Sequence, residues 1–124
     1  MLEETRRAGE TECCGMAAGR GNRLTHIFPA KNALASSTAY EIPPPELFAI
    51  FRRIRDNGLD LIAIYHSHPT GDNAPSARDI ERAYYPEAVY LIHSLAAPPA
   101  RQVRAFRIAT HEVREIEVVV EETR

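Results

Sequence analysis

His66-Ser67-His68-Pro69-Thr70-Gly71-Asp72-Asn73-Ala74-Pro75-Ser76-Ala77-Arg78-Asp79 gathers two imidazoles, a hydroxyl and, at its end, a carboxylate into one turn-rich segment. The run before it, Leu59-Asp60-Leu61-Ile62-Ala63-Ile64-Tyr65, is apolar and rich in strand formers, so it predicts a buried strand ending at His66. Residues i and i+2 of an extended chain point the same way, so His66 and His68 can offer their rings to one ion. Pro69 and Thr70-Gly71-Asp72-Asn73 break the strand into a loop. Ser76-Ala77-Arg78-Asp79 then opens a helix as an N-cap with an acid three positions on, which brings Asp79 back toward the strand end. Two imidazole nitrogens and one carboxylate oxygen suit Zn²⁺, and three protein ligands leave a fourth position for water.

A His-x-His pair, ten residues, then Asp, with Ser three before that Asp, resembles the JAMM/MPN+ family of zinc metalloproteases. Tyr65, Pro69 and Pro75 fit the same likeness. The resemblance implies one Zn²⁺ per chain on His66, His68 and Asp79, and a catalytic glutamate a few residues before a Cys-Gly that opens the first strand. Glu12, followed by Cys14-Gly15, is the match; Glu10 carries the same side chain two residues earlier and is the alternative. The glutamate would take a proton from the attacking water and return it to the departing amine. Ser76 would cap its helix and donate a hydrogen bond to the oxyanion of the tetrahedral intermediate. Asn32, Ser37 and Tyr40 echo further positions of the family loosely, and the family usually carries a longer helix in front than Leu2 to Ala8 provides.

Length and composition agree with one globular domain over residues 1–124. The chain is 44% hydrophobic and 26% charged, with a formal net charge of -2, so electrostatics gives no reason to expect nucleic acid as a partner. Arg52, Arg53 and Arg55, and Arg101, Arg104 and Arg107, read as solvated faces. No apolar run approaches the ~20 residues of a membrane span, and Met1 to Gly9 lacks a signal peptide's apolar stretch, so a soluble cytoplasmic protein is expected. Cys13 and Cys14 are adjacent, which disfavours a disulfide between them and predicts two packed thiols in a reducing compartment.

Gly9 to Gly19 predicts a turn leading into a short strand of small residues, and Arg23 to Pro29 a second strand turned by Gly19-Arg20-Gly21-Asn22. Pro43-Pro44-Pro45 introduces a helix whose Leu47, Ile50, Phe51 and Ile54 recur at helical spacing, with Gly58 at its end. After Asp79 the helix is expected to continue to Tyr85 and stop at Pro86. Ala88 to Leu95 reads as a buried strand. Val103 to Ala109 and Val113 to Val120 read as a hairpin around Thr110-His111-Glu112. His26, His93 and His111 read as bystanders. The fold class is α/β: a single domain with a curved, mostly antiparallel mixed sheet flanked by helices, the JAMM/MPN, cytidine-deaminase-like architecture that the resemblance also implies.

The family cleaves bonds at the C-terminal tail of ubiquitin or ubiquitin-like β-grasp proteins, taking the extended tail beside a strand. Asp79 runs through a single helix into the strand at Ala88, with no room for the insertion that holds a second zinc in eukaryotic-type members. The compact form resembles the bacterial and archaeal branch, which points to a sulfur-carrier or ubiquitin-like protein as substrate and partner. Two other readings share the motif. The DNA-repair-associated RadC proteins carry a similar His-x-His-Pro-x-Gly-Asp segment, and metal-free MPN relatives act as scaffolds.

Overall fold

Six strands, β1 (Cys14–Arg20), β2 (Arg23–Ala30), β3 (Asp60–Ser67), β4 (Val89–His93), β5 (Val103–Ala109) and β6 (Glu112–Ile116), make one sheet in the order β2-β1-β3-β4-β5-β6. This is a computed structural model, and it describes residues 13–21, 23–30, 32, 42–68, 73–94, 102–110 and 112–118. Neighbouring strands are antiparallel except β3 and β4, which run parallel. The mostly antiparallel mixed sheet is the one expected from the sequence. The parallel pair matters for function, because it brings the carboxyl ends of two central strands to the same edge, where open α/β sheets place their ligands.

Two-residue alternation sorts each strand between two apolar layers. Met16, Phe28, Ile64, Tyr90, Ile92, Phe106 and Ile108 form one cluster, and Ala17, Ala63, Tyr65, Val89, Leu91 and Ala105 the other. Register shifts at Ala17/Ala18 and Ala18/Gly19 in β1 mark bulges, which bend the sheet. Helix α1 (Pro44–Asp56) begins with prolines in its first turn and buries Ile50 and Ile54 in the first cluster. It stops where Gly58 takes φ 64°, a conformation that only glycine adopts without strain, and Leu59 N–H donates to the Ile54 carbonyl. Cys13 and Cys14 are buried thiols, as the sequence predicts, and Cys14 Sγ donates to the Ala30 carbonyl oxygen at 3.8 Å.

Helix α2 (Ala77–Glu81) is shorter than the sequence predicts. Its last turn tightens, with Tyr84 N–H bonded to the Arg82 carbonyl, and the Tyr85 N–H donates 3.0 Å to the Tyr90 hydroxyl instead of continuing the helix. That bond draws the chain down onto β4. Arg104 does not sit free in solvent either: its guanidinium makes two bonds to Glu115 across the β5–β6 pair, at 2.8 and 3.0 Å, and Arg107 donates to the Glu87 carbonyl. Leu2 to Ala8, Ser37, Tyr40 and His111 lie outside the described residues. No helix among the described residues is long and apolar enough to cross a membrane.

Gly15 is the tightest approach next to the site. A Cβ there would overlap the Tyr65 ring and stand 2.6 Å from the Phe28 carbonyl oxygen, and Tyr65 immediately precedes His66. Gly15→Ala should therefore destabilise the fold by about 1–3 kcal/mol, the usual cost of overpacking a well-filled interior. A fall in the urea midpoint at unchanged m-value would register it; an unaltered midpoint would show that the ring moves aside freely.

Candidate metal centre

The end of β3 is held from both sides. Ser67 lies between the two histidines, donates its N–H to the Cys13 carbonyl at 3.0 Å and accepts the Cys13 N–H on its hydroxyl at 2.9 Å. On the other flank, His68 N–H donates to the His93 carbonyl at 2.9 Å. Strand alternation then turns His66 and His68 to the face shared by Ile64, toward α2.

Asp79 arrives at the same place by a capping box. The Asp79 N–H donates to Ser76 Oγ at 3.1 Å, and the Ser76 N–H donates to Asp79 Oδ2 at 2.9 Å. The carboxylate that caps the helix also faces both imidazoles, with Oδ1 3.2 Å from His66 Nε2 and Oδ2 3.0 Å from His68 Nε2. The two Nε2 atoms stand 3.2 Å apart. A tetrahedral ion with bonds of about 2.0 Å, the length Zn²⁺ makes to nitrogen and oxygen, sets its ligand atoms about 3.3 Å apart. The Nε2–Nε2 separation matches such an edge, and the carboxylate reaches each imidazole at a similar distance, one oxygen to each, so one ligand atom from each residue can be offered to a shared ion. Among the described residues this is the one group of three His, Cys, Asp or Glu side chains with ligand atoms close enough to share an ion.

The protonation states suit a cation. Burial lowers the His66 imidazole below its ordinary value, against the opposing pull of Asp79, which favours the neutral ring that metal ligation requires. Burial pushes Asp79 upward, but hydrogen bonds from His66, His68 and the Ser76 N–H outweigh it and hold the carboxyl well below the usual range. An ionised carboxylate beside a neutral imidazole has the donor set of a zinc site. Ser76 uses its oxygen lone pair as a cap and retains its own O–H proton for donation.

Three residues carry more of the site than their sequence pattern suggests. Ser67 reads as the spacer of His-x-His, yet it ties β3 to the chain entering β1. His93 reads as a bystander, yet it is fully buried, its carbonyl anchors His68 and its ring lies 5.8 Å from that of Tyr65. Asn73 reads as a loop residue, yet it is 1% exposed in the segment between β3 and α2. An aromatic or amide beside a turn gives no periodic signal, so only the tertiary structure exposes these roles. His26 is exposed and bonds the neighbouring Thr25 hydroxyl, as a bystander would, and Asn32 is buried. Glu10 and Glu12 lie outside the described residues.

A cavity of about 320 Å³ opens beside the cluster. Met16, Ile64 and Tyr90, opposite one another on three adjacent strands, contribute one apolar row to its lining. Pro44 and Leu47 of α1 and Asp79, Arg78 and Arg82 at α2 also line it.

Residues 1–109 match the family described as prokaryotic homologues of the JAB domain. The chain is 40% identical over 113 residues to a desampylase of Haloferax volcanii, covering 89% of this chain and 78% of that protein. It is 32% identical over 124 residues to the CysO-cysteine peptidase of Mycobacterium bovis, covering 98% and 85%. A solution structure of a Desulfitobacterium hafniense protein superposes with a TM-score of 0.87 at 31% identity, covering 99% of this chain and 87% of that one.

Replacing Ser67 by alanine leaves the Cys13 N–H without its acceptor at a buried position, and should cost about 1–3 kcal/mol of stability. Ser67→Thr, which keeps the hydroxyl, should recover most of it; equal denaturant midpoints for Ser67→Ala and wild type would refute the clamp.

His93, pushed down to about 3 chiefly by burial, makes a pH prediction. Between the ordinary imidazole value near 6.5 and about 3, the unfolded chain binds a proton that the folded chain refuses. Stability should fall as pH drops through that window, by up to about 1.4 kcal/mol per pH unit, and His93→Gln should show a shallower fall in urea titrations at pH 7, 6 and 5.

Proposed function

The chain belongs to the family of prokaryotic JAB-domain homologues, and on that footing we propose that it is a zinc-dependent peptidase acting at the C-terminal tail of a ubiquitin-like β-grasp protein of the sulfur-carrier kind. The bond hydrolysed is an amide or isopeptide. The observation that carries the reading is the cluster of His66 Nε2, His68 Nε2 and the Asp79 carboxylate, with separations of 3.0 to 3.2 Å, in a chain whose relatives are named as a desampylase and a CysO-cysteine peptidase. Those relatives favour neither the RadC-like reading nor a scaffold without catalysis.

His66, His68 and Asp79 would hold Zn²⁺, which when bound would supply Lewis-acid polarisation of the scissile carbonyl and a water made more acidic, toward a pKa of ~7. The backbone bonds that Ser67 makes to Cys13 and His68 makes to His93 fix the two histidines in their orientation. Glu12 is the general base. It takes a proton from the attacking water and passes it to the leaving amine. Glu12 is joined to Cys13, whose N–H and C=O both bind Ser67 between the two histidines, which supports it over Glu10 two residues further back. Ser76, whose O–H remains available, donates to the oxyanion as the carbonyl carbon becomes tetrahedral. The substrate tail approaches in extended form, the conformation a sheet edge selects by main-chain bonding.

Elemental analysis and a cleavage assay on a β-grasp carrier with an extended C-terminus test this together. About one zinc per chain is expected in wild type and in Glu12→Gln, and little in His68→Ala. Cleavage is expected in wild type, with Glu12→Gln slower by at least about 100-fold, the low end for losing a general base. Wild type that binds no zinc, even when the metal is supplied, would sink the catalytic reading. Full activity in Glu12→Gln would move the general base to Glu10.

A further inference from the structure

Tyr90 is 3% exposed and belongs to the first apolar cluster, yet it carries a hydroxyl, and a buried hydroxyl needs a partner. It finds one in the Tyr85 N–H at 3.0 Å, just beyond the end of α2. The Tyr85 carbonyl is taken as well, by the Ala88 N–H at 3.1 Å, so the chain between α2 and β4 is fastened through both backbone groups of one residue. Ile80, Ala83 and Tyr85 also pack against the cluster, but burial of apolar surface is non-directional and does not set where along the sheet the segment lies. A hydrogen bond of this length does.

What that position decides follows from the strand register. Tyr90 stands opposite Ile64 on β3, and the next pair on the same face is Ile92 opposite His66. From Asp79 the chain runs on to Tyr85, crosses to the Tyr90 hydroxyl, climbs one strand repeat to Ile92, crosses the ladder to His66, and returns to Asp79 Oδ1 over 3.2 Å. The helix-borne carboxylate and the strand-borne imidazole are therefore both referenced to β4. The capping box does not provide this reference, because its two bonds join Ser76 and Asp79 to each other within one turn.

We propose that Tyr90 is a positioning residue for the metal centre: by holding the Tyr85 N–H, its hydroxyl sets the reach of the Asp79 carboxylate to His66 and His68, and so the affinity for the ion. The proposal rests on the zinc-peptidase reading above and adds to it a residue that acts through another. Replacing the hydroxyl by hydrogen leaves the ring in place, so Tyr90→Phe keeps the cluster filled and releases the segment. If the bond favours the ion, then the ion favours the bond by the same factor.

The test compares zinc affinity, by competition with a chromophoric chelator, in wild type, Tyr90→Phe and Ile108→Val. The last trims the same apolar cluster from β5 and lowers stability without touching the bond. Tyr90→Phe should bind zinc about tenfold more weakly, the low end for losing a group that orients a ligand, while Ile108→Val should bind as wild type does. In the carrier cleavage assay at limiting zinc, Tyr90→Phe should be slower than wild type with KM unchanged, and should recover as free zinc is raised. A second measurement needs no substitution: saturating zinc should slow exchange of the Tyr85 amide in wild type by about the same tenfold, since local opening and ion binding are linked. Should Tyr90→Phe fail to fold, that measurement decides alone. Equal zinc affinity in Tyr90→Phe and wild type, an equal loss in Ile108→Val, or a Tyr85 amide indifferent to zinc would overturn the proposal and leave the peptidase intact. Wild type that binds no zinc ends both.

Discussion

The rest of the site depends on one carboxylate serving two structures at once. Asp79 accepts the Ser76 N–H as the return arm of a capping box, and offers its oxygens to both imidazoles at 3.0 and 3.2 Å. A helix of five residues has little stability of its own, since nucleating a helical turn is unfavourable and short helices propagate poorly. What holds α2 in place is the box at its start, the packing of Ile80 against the core, and the pull of its acid on the histidines of β3. The helix start and the histidine–carboxylate cluster are therefore one feature, and a substitution that removes the carboxylate disturbs both.

The other half of the constraint is the backbone at the end of β3. A strand end normally frays, because its last N–H and C=O groups lose their ladder partners. Here Ser67 exchanges two bonds with Cys13 on the β1 side, and His68 N–H bonds His93 on the β4 side. The bonds cross to an antiparallel neighbour and a parallel one, so the last two residues cannot twist without breaking contacts on both flanks. Such a support fixes the orientation of the two imidazoles and would limit the reorganisation that metal binding requires.

Most of this was legible in the sequence, for identifiable reasons. His66 and His68 follow an apolar run, and their i, i+2 spacing has one meaning on a strand. Ser76 and Asp79 have the spacing of a capping box, which local chemistry decides. The six strands follow from runs of Val, Ile, Tyr and Ala between glycines and prolines. The extent of α2 was not legible, since the residues after Asp79 read as good helix formers until the Tyr85 N–H is seen to prefer the Tyr90 hydroxyl. His93 and Ser67 were missed as supports because each acts through backbone groups or a single hydroxyl, and their partners lie 25 and 54 residues away in the chain.

The same geometry explains how a small domain can be selective without insertions around its site. Specificity for a carrier comes from an extended tail, whose backbone any sheet edge can read, and so carries little information about what is attached beyond it. Information about the far side of the scissile bond has to come from the leaving group's pocket. In this chain the cavity beside Asp79 is made largely from residues already present for other reasons: Ile64 and Met16 are core, Leu47 packs against that core from α1, and Asp79 belongs to the capping box. Arg78, Arg82 and Tyr84 line it while remaining exposed, so their side chains are not explained by the core.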